Sequence, residues 1–121
     1  MTLTEFLLAR IAEDEAVARA ASQTARDGSM AQWRDECRDG GNPGQSRVWN
    51  GVGQAVVSHA YHDQGPHIAR FDPVRVLAEC EAKRRIVEDW GKWQTYNGEE
   101  LMQELALPYA SHPDYQNEWR P

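Results

Sequence analysis

Between Leu3 and Ala21 the apolar positions Leu3, Phe6, Leu7, Ile11, Val17, Ala18 and Ala21 recur mostly three and four residues apart. That spacing lays one apolar stripe along a helix. Arg10, Glu13, Asp14 and Arg19 complete a charged opposite face. Thr2 and Glu5 form a T-x-x-E capping box, in which the two side chains reciprocally satisfy backbone donors, so a helix is expected over 2–26, ending before Gly28. From Ala31 to Ser58 the period changes. β-prone stretches around Trp33 and Cys37, at Val48-Trp49 and at Val56-Val57 are separated by GGNPG at 40–44 and by Asn50-Gly51 and Gly53. They predict a small antiparallel β-meander over 31–58, with a register that its glycines weaken.

Asp72-Pro73 opens the next helical pattern, with an acidic N-cap and a proline at the first position, where the missing N–H costs nothing. Val76, Leu77, Cys80, Val87 and Trp90, widened by Ile86, predict a helix over 73–90. Gly65-Pro66 starts a short helix over 66–70, broken at Phe71 ahead of the Asp-Pro step. Asn97 with Glu100 signals the start of a shorter helix over 98–107, stopped by Pro108. Pro113 and Pro121 exclude regular structure from the tail, yet Tyr109, Tyr115 and Trp119 make 108–121 an ordered aromatic strap rather than a free end. The expected architecture is a single domain over 1–121, α+β and mainly helical: two long antiparallel helices, a short third helix and the meander.

Length and composition support one folded core. A chain of 121 residues with 40% hydrophobic residues and five tryptophans buries enough apolar surface to fold without staples. The net charge of −6 argues against broad nucleic-acid binding, which needs a positive surface. The one dense basic run, Lys83-Arg84-Arg85, reads as a solvated helix face with Glu79 and Glu81 as partners. Cys37 and Cys80 lie in no C-x-x-C arrangement and read as reduced thiols. MTLTEFLLARIAEDE has no basic lead and runs at once into acids, so neither a signal peptide nor a membrane span is expected and the cytoplasm follows.

Three stretches carry a resemblance: TLTEFLLARIAEDE at 2–15, HIARFDPVRVLAECEAKRRIVEDW at 67–90 and LALPYASHPDYQNEWRP at 105–121. Together they resemble a family of small uncharacterised proteins, a domain of unknown function common in actinobacteria such as streptomycetes and mycobacteria and in their phages. The resemblance leaves out 31–60. After HIAR this chain has Phe71, where the family more often has histidine. The resemblance brings no catalytic residues, and implies an accessory product of an actinobacterial phage or prophage.

Candidate chemistry is sparse. His59, His62 and His67 form H-x2-H-x4-H with Asp63, a set that could bind zinc, or else a polar loop of locally bonded histidines. Asp72, Glu81 and Lys83 copy the order of a nuclease core, but Glu81 and Lys83 fall in a helix instead of on a strand beside the first acid. Ser58-His59 and Ser111-His112 lack a nucleophile elbow and a third member. GGNPG lacks the lysine and the strand-to-helix context of a phosphate loop. What remains is aromatic surface: Trp90, Trp93, Tyr96, Tyr109, Tyr115 and Trp119 exceed what one small core easily hides. The expected function is therefore non-catalytic binding of a host or self protein through Trp90, Trp93, Tyr109, Tyr115 and Trp119, with no cofactor. The alternative is a zinc-binding protein or metal-dependent enzyme centred on His59, His62 and His67. A homodimer through helix 1, where Ala18 and Ala21 permit close approach, is a third reading.

Overall fold

The capping box forms as its residue types require. The Thr2 backbone N–H donates to the Glu5 carboxylate at 2.7 Å, and the Glu5 N–H donates to the Thr2 hydroxyl at 3.1 Å. The carboxylate of Glu5 is held below its usual range by Thr2, whose backbone N–H contributes most and whose hydroxyl adds to it. Helix α1 follows over Leu3–Ala20 and gives way to a turn at 21–22, short of the predicted residue 26. The computed structural model describes residues 1–22, 28–36, 45–93 and 97–121, so Cys37, the GGNPG loop and Tyr96 lie outside the described residues. After the chain resumes come β1 (Trp33–Glu36), β2 (Gln45–Asn50), β3 (Ala55–Tyr61), α2 (Gln64–Arg70), α3 (Pro73–Trp93) and α4 (Gly98–Ala106). The protein is thus mainly helical α+β, with a three-stranded antiparallel sheet in the order β1-β2-β3. No helix among the described residues is long and apolar enough to cross a membrane.

The chain divides into two compact units, 1–15 with 79–121 and 16–78, and the division falls within α1 and α3. In the first unit α1 and α3 run antiparallel: Arg84 donates to the Glu15 carboxylate at 2.6 Å, while Leu3 and Trp90 line one hollow farther along. Phe6, Leu7, Ile11, Cys80, Val87, Met102, Ala106 and Trp119 fill its interior. The tail, 107–121, consists of two short 3-10 turns, Leu107–Tyr109 and Asn117–Trp119, whose rings close on Phe6. Asn97, expected to cap α4 with its side chain, makes no such bond.

Two positions depart from the predicted stripe for geometric reasons. Arg10 was placed on the charged face, yet it is buried at 6% exposure, because it follows Phe6 by four residues and so shares its side of the helix. Val17 was placed on the apolar stripe, yet it is 72% exposed: six residues beyond Ile11, it is rotated by about 120° from it. Ala18 is buried and Ala21 exposed, so the pair does not present one open stripe of small residues. Ile86 and Leu101 also face outward.

In the second unit, the β2–β3 turn is built on Asn50. Its side-chain oxygen accepts from the Val52 and Gln54 N–H groups at 3.2 and 2.9 Å, and Gly53 supplies the positive φ of 82° that the turn requires. The neighbouring Gly51 lets the chain approach Ser29, to whose carbonyl it donates at 2.8 Å. Strand β3 runs to Tyr61, three residues beyond the expected end of the meander, and its register against β2 shifts twice. Helix α2 packs on the sheet through Ala69 and Gly65, which abuts the buried Ser46 of β2. Asp72 then performs the predicted capping and adds a second bond. One carboxylate oxygen accepts from the Arg75 N–H at 2.9 Å, and the other from the Trp33 N–H at 3.1 Å, tying the α2–α3 corner to β1.

Candidate functional site

Phe6 is fully buried and meets four rings of the tail: Tyr109 at 6.4 Å, His112 at 5.7 Å, Tyr115 at 5.9 Å and Trp119 at 5.0 Å between centroids. One turn along α1, the Arg10 guanidinium lies against the His112 imidazole and donates to the Glu13 carboxylate at 2.8 Å. A further turn on, the Asp14 carboxylate accepts from the Tyr109 hydroxyl at 2.6 Å. Burial raises the pKa of that phenol, and the bond to Asp14 and its charge raise it further. The Cys80 thiol, 2% exposed, is pushed up by burial and then by the charge of Asp14. Lys83 reaches over the Tyr109 ring at 5.9 Å. The three stretches that carry the family resemblance thus meet in one polar and aromatic cluster. Asp14, Tyr109, Arg10 and His112 are bonded to one another or to neighbours, and burial favours the neutral forms of both the thiol and the phenol, a poor arrangement for a nucleophile.

This cluster changes the standing of several residues singled out from sequence. Trp119 is 7% exposed, Tyr109 and Tyr115 are half-buried against Phe6, and Trp90 is half-buried against the backbone at Gly98. The rings of the tail are therefore turned largely into the protein by their edge-to-face packing. The Trp93 side chain lies outside the described residues. Arg84, read as part of a solvated run, is instead bonded to Glu15, while Arg85 makes the expected i,i+4 pair with Glu81 at 3.0 Å.

In the second unit the three histidines do not converge. His59 is exposed on β3, His62 pairs with its neighbour Asp63 at 2.9 Å, and His67 packs at a tilt against Phe71 with centroids 4.9 Å apart. Among the described residues no three His, Cys, Asp or Glu side chains are grouped to hold a metal ion, so the zinc reading finds no support in them. The cause is backbone geometry: His59 belongs to a strand and His67 to a helix, with the turn at 62–63 between them.

The α2–α3 corner carries a feature that sequence reasoning passed over. Pro66, His67, Arg70, Phe71 and Arg75 line an open groove of about 370 Å³. Phe71 sits between the His67 ring and the Arg75 guanidinium, which lies 4.4 Å from its centroid. It stays 43% exposed, as does Val74 at 44%. The signal in the sequence was R-F-D-P-V-R, an aromatic residue flanked by arginines at a helix break. The break brings Arg70 and Arg75 to one side.

The whole chain, residues 1–121, matches a family of unknown function, DUF6221. The chain belongs to that family. For this DUF6221 protein, neither a curated protein nor a solved structure matches. Its residues therefore carry the functional argument alone.

Proposed function

We propose that this DUF6221 protein works by binding another protein, without catalysis, and that its contact surface is the α2–α3 corner. One observation carries the reading: Phe71 is kept out of the core in a groove it lines with Arg70 and Arg75, and Val74, three residues on, is exposed as well. Exposed aromatic and arginine side chains in one patch are what binding surfaces are enriched in. The bonding of Asp14, Tyr109 and His112 to their neighbours and the burial of Cys80 in the first unit support the non-catalytic half. The resemblance of the three stretches to actinobacterial and phage proteins supports an accessory role for a phage or prophage, acting in the cytoplasm on a host protein.

The test places a photo-crosslinking residue at position 71, and for comparison at the more exposed position 17, in protein expressed in an actinobacterial host. The account expects a discrete protein adduct from 71 alone, lost when Val74 is also changed to Ser. Identical adducts from both positions, or none from 71, would overturn it.

A further inference from the structure

Where α1 begins and α3 ends, beside the start of α4, the first unit holds a hollow of about 210 Å³ lined by Thr2, Leu3, Thr4, Trp90, Glu99 and Met102. It reaches into the interior, since Met102 is 1% exposed. The indole of Trp90 forms its aromatic wall. Gly98 seats that ring: a side-chain carbon at 98 would overlap its six-membered part, so the ring is already fixed and needs no ordering on binding. Glu99 and Met102, three residues apart on α4, share a side of the helix. The Glu99 carboxylate is exposed and makes no hydrogen bond or ion pair among the described residues. None of the lining residues is basic.

We infer that this hollow binds a small organic cation, a methylated ammonium group held against the Trp90 ring beside the Glu99 carboxylate. The starts of α1 and α4 would by themselves draw an anion, but Glu5, Glu99 and Glu100 stand in their first turns. Three carboxylates and the negative end of α3 outweigh two helix starts of roughly half a charge each and the Met1 amino group that acts on Glu5. A primary ammonium brings three donors and wants as many acceptors. The hollow offers it Glu99 and the Thr4 hydroxyl, while the Thr2 hydroxyl already accepts from the Glu5 N–H. A methylated ammonium needs no acceptor: it takes its attraction from the ring face and the carboxylate, with its methyls against Leu3 and Met102. The volume falls below the range of about 300–1,000 Å³ typical of drug-sized ligands, so the cation is small. The site is independent of the α2–α3 corner and adds a small-molecule ligand to the protein-binding reading.

Two-dimensional NMR of the labelled full chain tests this with choline chloride, its uncharged tert-butyl analogue, ethanolamine and sodium sulfate, all at equal ionic strength. Choline is expected to shift the Trp90 indole N–H and the amides of residues 2–4 and 98–102 saturably, with a Kd on the order of 1 mM. Glu99→Gln should weaken binding about threefold, Glu99→Lys at least about tenfold and Trp90→Leu at least about fivefold. Glu104→Gln, the same change on exposed α4 surface turned by about 140° from Glu99, should leave it unchanged. No saturable shift with choline, equal or tighter binding of the uncharged analogue or of ethanolamine, a preference for sulfate, or indifference to both Glu99 variants would each overturn the inference. Circular dichroism of every variant separates lost binding from lost fold, and the exposed Glu99 decides the matter where Trp90→Leu unfolds. Crosslinking at position 71 reads other residues, so either reading can fall without the other.

Discussion

Changing Phe6 to alanine removes the side chain on which the tail closes. Phe6 is 0% exposed and contacts four rings besides the Arg10 guanidinium, 5.3 Å from its centroid. Truncating a buried phenylalanine costs about 3–5 kcal/mol, the upper part applying where neighbours cannot collapse into the space. Four ring partners approaching from one segment and a buried guanidinium make collapse difficult, so about 4 kcal/mol is expected here. Unfolding a chain of this length carries an entropy of about 0.25 kcal/mol/K, so the midpoint falls by about 16 °C. Thermal scans followed by helical circular dichroism and by tryptophan fluorescence measure it, with Phe6→Leu expected to lose less than half as much. Val17→Ala is the control: at 72% exposure it should move the midpoint by no more than about 2 °C. A loss below about 1 kcal/mol for Phe6→Ala would refute the claim that Phe6 anchors the tail.

Three further outcomes follow from the first unit. The Tyr109 phenol has a raised pKa in the folded chain, so its contribution is full below the unfolded value near about 10 and is lost as pH rises beyond it. Alkaline unfolding should therefore be less steep in Tyr109→Phe, and an unchanged pH profile would contradict this. In Gly98→Ala the new methyl meets the Trp90 ring, and overpacking of about 1–3 kcal/mol exceeds the gain of about 0.4–1 kcal/mol from replacing glycine. A lowered urea midpoint, partly restored when Trp90→Ala is added, is the expected result, and a raised midpoint would count against it. Cys80, buried with a raised pKa, should react with a thiol reagent only as fast as the protein opens, measured in a Cys37→Ser background. Labelling within seconds in native buffer would show the burial to be wrong.

The mainly helical α+β class and the starts of α1 and α3 were legible because each has a local cause. Thr2 with Glu5 and Asp72 with Pro73 are short-range signals, and both caps form. Arg10 and Val17 were misplaced because residue type was allowed to outweigh angular position. A buried guanidinium needs a ring and a carboxylate that only the folded chain delivers, here from His112 and Glu13. The histidine triad was a pattern of spacing whose members a strand, a turn and a helix point apart. The groove at the α2–α3 corner escaped notice for a related reason: Arg70 and Arg75 become neighbours only through the break at Phe71 and the packing of α2 on the sheet.

The most direct test of the central claim, that the α2–α3 corner is the working surface, is a two-dimensional amide NMR titration of the labelled protein with the host protein captured by crosslinking at position 71. The account predicts saturable shifts concentrated at residues 66–75, with the amides of 105–119 unmoved. Shifts centred on the Tyr109–Trp119 tail, with residues 66–75 silent, would contradict it.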